Sequence, residues 1–350
     1  MLTTTDPQWL TLWQGSPDQS PFAHPGYLSL WEDGKTRAMA AAHRVTGGHV
    51  FYPFLLRDLR QEPFWPDTTS GSGAFDITSP YGYGGPEWIP DAGTPHASAE
   101  AKDQHYRDFY DAFRRWAYEN KVVSEFIRFC LFTEARKTYP GTVEHNNDNV
   151  VVDILRSSDQ AWHSFNSKVR KNVRTAIRNQ LKAVHDPEAR HLDEFIKVYY
   201  HTLERRSAAP FYFFNKQWFE RLCRQLNGRC SFFHVLHGGE VIASELVLLS
   251  AKRIYSFLGG TLHTYYHLRP SDYLKYAIIE WGREAGYEQF VIGGGHKPHD
   301  GIFAFKKSFT PGGGIPFYTG KMIFDPKTYQ ALTAKGQADE GFFPAYRTSR

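Results

Sequence analysis

What this sequence lacks sets the first limits on it. Cysteine is scarce: among 350 residues there are only Cys130, Cys223 and Cys230, an odd and scattered set without metal-ligand spacing. Such a set suits a reducing compartment, with the thiols serving as small buried hydrophobes. Long apolar runs are also missing. No stretch reaches the roughly 18 apolar residues of a membrane span, and even VIASELVLL (241–249) is interrupted by Ser244 and Glu245. The start, MLTTTDPQWLTLWQGSPDQ, has no cationic segment followed by an apolar one, so it does not read as a secretion leader. A strong charge of one sign is absent as well: 41 Lys and Arg face 37 Asp and Glu, a net charge of +4. The expected address is the cytoplasm, and nothing in the composition indicates disorder or a dedicated nucleic-acid-binding arm.

What is present first suggests two compact units, because single cores usually stop growing at roughly 250–300 residues. Two hairpin signals share a register. AHRVTGGHVFYPFLL (42–56) and FHVLHGGEVIASELV (233–247) both place His four residues before a Gly-Gly pair and Val two residues after it. Gly-Gly between apolar runs predicts a tight turn with both glycines at positive φ. Each hairpin is followed by an amphipathic helix ending near a Trp and then by a strand: DFYDAFRRWAYENKVVSEFIRF, and SDYLKYAIIEWGREAGYEQFVIGGG. In the second, Ser271 is the expected cap, Tyr273, Leu274, Ala277, Ile278 and Trp281 recur at helical spacing, and Gly286 closes the end. Strand, crossover helix and strand make a right-handed parallel unit. Two copies predict a duplicated α/β chain of mixed sheets.

Between the first hairpin and its helix, roughly residues 60–100, Pro and Gly recur too often for regular structure. Within that loop, DITSPYGYGGPEW holds Tyr81 and Tyr83, either walls of a ligand pocket or parts of a packed surface loop.

A basic helix follows at the junction. Val169, Val173, Ile177 and Leu181 repeat every four residues as an apolar stripe, while Arg170, Arg174, Arg178 and Lys182 repeat beside it, reinforced by Lys168 and Lys171. Like charges four apart cost about 0.2–0.5 kcal/mol per pair. An anionic partner would relieve the row, such as a nucleic-acid backbone, a nucleotide-sugar diphosphate or an anionic membrane face; a merely solvated face is the alternative. The mild overall basicity favours a local phosphate contact over stable DNA binding.

Downstream, VIGGGHKPHDGIFAFKKSF (291–309) breaks a strand with Gly293, Gly294 and Gly295. It does not open directly into a helix, and Pro298 removes a donor, so it is not a phosphate cradle. His296, His299 and Asp300, or His263 and His267, could chelate a metal, but Pro298 and the connecting position of HTYYH argue against it, and no metal is expected. The remaining reading is a turn at the C-terminal edge of a parallel strand, where open α/β sheets place ligands, that aims one lysine of Lys306-Lys307 inward. If FAFKKSF is extended, Phe303 and Phe305 share a side opposite Lys306; if helical, Phe305 packs on Phe309.

Taken together, DITSPYGYGGP (76–86), KVRKNVRTAIR (168–178), YYHTLERRSAAPFYFF (199–214), RIYSFLGGTLHTYYHLRPSDYL (253–274) and FVIGGG with GIFAFKKSF resemble the FemABX branch of the GNAT acyltransferase superfamily over roughly residues 20–325. The resemblance implies tandem GNAT-like domains with a cleft between them: residues 1–150 on the acceptor side, 151–330 on the donor side, and 331–350 as a tail. It implies transfer of an amino acid from aminoacyl-tRNA to an amine of a peptidoglycan precursor, exopolysaccharide or metabolite, with no cofactor beyond the tRNA co-substrate. Peripheral contact with a membrane-bound precursor is compatible with this.

By position, the resemblance puts Lys306 at the transferred acyl group and Phe305 near the tRNA acceptor end. Arg205, or Arg206, would hold precursor phosphate, and Tyr255 or its neighbours would line the cleft. Lys306 would stay protonated and stabilise the oxyanion or leaving oxygen, with Asp300 a weak candidate base. The competing readings are an acyl-CoA-dependent N-acyltransferase and a non-catalytic RNA-binding or anion-binding protein. Against CoA, HLRPSDYL offers no glycine, and Pro270 no amide, where such enzymes bind pyrophosphate.

Overall fold

The structure, a computed structural model, describes the chain except residues 63–64, 66–73, 95–96, 155–156, 296, 298–299, 335–340 and 348–350. In chain order the strands are β1 (Leu2–Thr3), β2 (Thr36–Val45), β3 (Gly48–Asp58), β4 (Phe75–Thr78), β5 (Glu87–Pro90), β6 (Val122–Arg128) and β7 (Thr142–Asp153). They continue with β8 (Lys182–Asp186), β9 (Cys230–His237), β10 (Glu240–Leu249), β11 (Arg253–Thr261), β12 (Gln289–Gly293) and β13 (Gly314–Ile323). Two compact units result: Met1–Asn146 with Phe317–Arg350, and Asn147–Pro316. The expected boundaries at 330 and 331 are thereby corrected. The chain from Phe317 onward returns to the first unit because β13 pairs antiparallel with β6, Thr319 opposite Arg128.

In the first unit the strand order is β1-β2-β3-β4-β6-β13, with β5 added on β3. The helix Ala99–Glu119 begins where the Ser98 hydroxyl accepts from the Ala101 amide. It buries Tyr106, Phe109, Tyr110, Phe113 and Ala117, the three-and-four spacing of one helical face. Those rings pack with Tyr52, Phe54 and Ile127, each fully buried side chain contributing roughly 1.5–3 kcal/mol. The segment expected as an irregular loop carries β4 and β5. β4 lies parallel to β6 (Ile77 opposite Glu125), and buried Asp76 receives two hydrogen bonds from Arg57, which compensates the polar residue in that strand.

The first hairpin also differs from its forecast. Its two-residue turn is Thr46-Gly47, and only Gly47 has positive φ, +77°. Gly48 belongs to β3, where a Cβ would run into the Ile89 carbonyl oxygen of the neighbouring β5. In the second unit the turn is Gly238-Gly239 with both φ positive, as predicted.

The second unit has the order β7-β12-β11-β10-β9-β8. Its crossover helix, Pro270–Glu284, joins β11 to the parallel β12 and buries Leu274, Ile278 and Ile279. Ser271 does not cap it. Arg269 occupies the cap position at φ +65° with Pro270 at the first helical position, and the Ser271 hydroxyl bonds to Thr261. Gly286, at φ +82°, ends it as expected, with the amide of Tyr287 reaching the carbonyl of Gly282.

Candidate functional site

The parallel pairing of β11 with β12 spans Arg253–Tyr255 against Gln289–Val291. Past it, Gly293 turns β12 with φ +84°, and the following segment feeds the short helix Gly301–Lys307, so FAFKKSF takes the helical alternative. Asp300 caps that helix: its carboxylate oxygens accept from the amides of Phe303 and Lys297. Asp300 is thus the cap of that helix, with one amide on each carboxylate oxygen. Phe305 packs edge-on against Phe309 at 5.5 Å. Lys307 is exposed, its ammonium 5.7 Å above the Phe303 ring.

Lys306 turns inward. Its Nζ donates to the Gly294 carbonyl at 2.7 Å and lies beside Gly293. Burial, reinforced by the like charge of Lys275, pushes its ammonium down to about 8, against the partial compensation of Glu245 and Asp300. Lys275 and Glu245 were not among the residues singled out from sequence. Glu245 on β10 is 4% exposed and Lys275 on the crossover helix 8% exposed. The Lys275 ammonium donates to both Glu245 oxygens, at 2.5 and 2.6 Å, and to the Ser256 hydroxyl at 2.9 Å, and it lies 5.3 Å from the centre of the Phe290 ring.

The basic helix, Ser167–Arg178, packs into the same core. Its Asn166 cap takes the Lys168 amide on its side chain, and its own amide donates to the Ser308 carbonyl at 2.8 Å, just past Lys306. The buried stripe is Val169, Val173 and Ala176, whereas Ile177 is 53% exposed. A four-residue step overshoots one helical turn, so the row drifts off the core and Ala176 replaces Ile177. Leu181 is buried, but beyond the helix end.

Lys168, Lys171, Arg174 and Arg178 are exposed, with Arg174 over the Trp162 ring at 5.3 Å. Arg170 is committed elsewhere: its guanidinium donates to the carbonyls of His163 and Phe165, holding the end of the preceding helix. Asn172 fastens the inner face by donating to Asp272 at 3.1 Å, and burial raises the Asp272 carboxyl.

Other predicted residues are distributed differently. Arg205 ends the helix Leu192–Arg205, exposed and stacked over Tyr266 at 5.5 Å, and Arg206 is exposed beside it. Tyr255 is buried at 2% exposure, and its neighbour Ile254, on the opposite face of β11, is buried as well, so both faces of the strand are covered here. In the first unit, Tyr81 and Tyr83 pack into an aromatic cluster. The Tyr27 hydroxyl donates to the Tyr81 carbonyl, and Tyr83 sits edge-on to Phe22 and Phe317.

Of the histidines considered for a metal, His296 and His299 lie outside the described residues. His263 shares a hydrogen bond with His201 at 2.9 Å, and the His267 ring bonds to the Thr264 carbonyl. Among the described residues no group of three or more His, Cys, Asp or Glu is placed to hold a metal ion, and no helix is long and apolar enough to cross a membrane.

These features define a class first. Residues 167–307 match the Acetyltransferase (GNAT) domain, which contains the basic helix, the crossover helix and Lys306. The chain as a whole has a fold similar to that of solved structures that include FemX and a tandem GNAT protein. It superposes on the crystal structure of FemX with a TM-score of 0.68 at 14% identity, covering 94% of this chain and 98% of that one. L-PGS from Bacillus licheniformis aligns with a TM-score of 0.55 at 13% identity over 95% and 96% of the two chains. A tandem GNAT protein from the clavulanic acid biosynthesis pathway aligns at 0.50 and 9% identity over 93% and 98%. No curated protein matches the chain by sequence.

Proposed function

We propose that this GNAT acyltransferase transfers an amino acid from aminoacyl-tRNA to an amine of a peptidoglycan precursor or a related acceptor. The observation that carries the reading is the Lys306 ammonium, desolvated at the Gly293-Gly294 turn and aimed at a backbone carbonyl. In the reaction the acceptor's neutral amine attacks the ester carbonyl, a C–N bond forms, the C–O bond to the tRNA ribose breaks, and the proton lost by the amine is matched by one gained at the leaving oxygen. Lys306, cationic below about 8, stabilises the oxyanion and the leaving oxygen, and Phe305 flanks the donor end. The exposed Lys168, Lys171, Arg174 and Arg178 take donor phosphates, and Arg205 takes acceptor phosphate. The fold likeness to FemX and L-PGS supports an aminoacyl donor.

A second reading, an acyl-CoA donor, is favoured by the description of the matched domain as an acetyltransferase. It is disfavoured by the helix start at Pro270, which lacks an amide where a pyrophosphate would sit, behind Arg269 in the left-handed conformation.

The test charges a tRNA pool with labelled amino acids, adds protein and a panel of amines including muropeptide precursors, and follows label into amide, with acetyl-CoA in parallel. Transfer from tRNA that is lost in Lys306→Met is the expected result. Transfer from CoA alone overturns the tRNA donor. Salt-sensitive RNA binding without any transfer overturns the enzyme.

A further inference from the structure

The second unit buries a complete ion pair close to the lysine that carries the proposed chemistry. Lys275 projects from the crossover helix, Glu245 from β10 and Ser256 from β11, the last immediately past the point where β11 and β12 cease to pair. The Lys275 ammonium lies over Phe290 of β12, and Lys306 meets the same strand's end at Gly293 and Gly294. A buried ion pair is a poor brace, because the desolvation of two charges offsets their attraction. Its field, in contrast, acts strongly on a neighbouring charge that is also out of water.

We propose that Lys275 and Glu245 are positioning residues for Lys306, two opposite charges whose balance sets how firmly the Lys306 ammonium holds its proton during the acyl transfer proposed above. The inference rests on that reading for its purpose but not for its physics. Among the described residues, the charged groups acting on Lys306 are Lys275 from the crossover helix, Glu245 from β10 and Asp300 from the start of its own helix. Lys275 opposes the ammonium, and the two carboxylates favour it. Asp300 is held by its capping bonds, so the Lys275–Glu245 pair is the adjustable part. Ser256 is neutral and fixes only where the Lys275 charge sits.

The consequence is a pair of opposite responses, which no loss of packing produces. Glu245→Gln leaves Lys275 uncompensated and makes Lys306 release its proton at lower pH. Lys275→Met removes the repulsion, leaves the Glu245 carboxylate and makes Lys306 hold its proton to higher pH. Each shift is on the order of tenfold in proton affinity. The double variant falls between the two.

The experiment titrates Lys306 in the free full-length protein by its pH-dependent rate of labelling with acetic anhydride, read by mass spectrometry of the peptide containing it. Wild type, both single variants, the double variant and Ser256→Ala are compared after their folds are checked by circular dichroism. Opposite displacement of the midpoint in the two single variants, with Ser256→Ala near wild type, is expected. Displacement in the same direction, or none, overturns the proposal. If Glu245→Gln does not fold, Lys275→Met decides alone, since anything other than an upward shift overturns it. Opposite labelling shifts in a protein that transfers no acyl group would uphold the coupling and overturn the proposed reaction instead.

Discussion

The two units share a plan of hairpin, crossover helix and parallel strand, and each buries an ion pair, Arg57–Asp76 in the first and Lys275–Glu245 in the second, but they differ in the further titratable group each keeps. In the first, Glu125 on β6 lies among aromatics and accepts from the hydroxyls of Tyr52 at 2.9 Å and Tyr139 at 2.8 Å. Burial pushes its carboxyl up to about 7 despite those two donors. In the second, the buried carboxylate of Glu245 is matched by Lys275, and a further cation, Lys306, is held at the edge of the sheet. Neutral donors suffice to bury one acid, whereas a partly desolvated ammonium costs stability and is retained where chemistry uses it. The comparison teaches that the shared framework fixes the fold, and that the second unit adds a titratable device to it.

The largest expected effect separates the units by activity. Lys306→Met lowers transfer on the order of 10²–10³-fold, while Glu125→Gln leaves turnover near wild type; initial rates of amide formation from charged tRNA check this. If both variants lost activity equally, the division of labour between the units would fail.

A smaller effect separates them by pH. Lys306 has its folded value lowered to about 8 from 10.5. Between those values the unfolded chain binds more protons, so stability rises with pH through that window. Glu125 has its folded value raised to about 7 from 4.5. Its contribution is therefore present below the unfolded value and is lost as pH rises through about 7. Urea unfolding against pH should accordingly lose its alkaline rise in Lys306→Met and its decline toward neutrality in Glu125→Gln.

The smallest effects concern single cations of the basic helix. Replacing Lys171 or Arg178 by Gln reduces the salt dependence of tRNA binding by roughly one in log-log slope per phosphate contact. Arg170→Ala lowers the melting temperature instead, because the carbonyls of His163 and Phe165 lose their donor.

Much of this architecture was legible in the sequence because it is periodic or local. The crossover helix could be read from Leu274 and Ile278, its end from Gly286, and the Phe305–Phe309 contact from a four-residue spacing. The Lys275–Glu245–Ser256 cluster was not legible. Its members sit on a helix and two strands, 30 residues separate the ion pair, and along the sequence Glu245 only interrupts an apolar run. Ile177 misled because four-residue periodicity drifts away from the core over several turns, and the capping bonds of Asp300 were not legible because an acid next to a glycine gives no unique cap signal. Tyr255 rested on the resemblance alone, and its burial was not legible because β11 is covered on both faces at Ile254 and Tyr255.

The most direct measurement of the central claim is the pH dependence of acyl transfer by the wild-type protein at saturating donor and acceptor. A cationic Lys306 predicts a rate that falls as pH rises through about 8 and a profile that loses this limb in Lys306→Met. An ascending limb centred near 8 that disappears in Lys306→Met would contradict the account, because the lysine would then be acting as a neutral base; an ascending limb retained in Lys306→Met belongs to deprotonation of the acceptor amine.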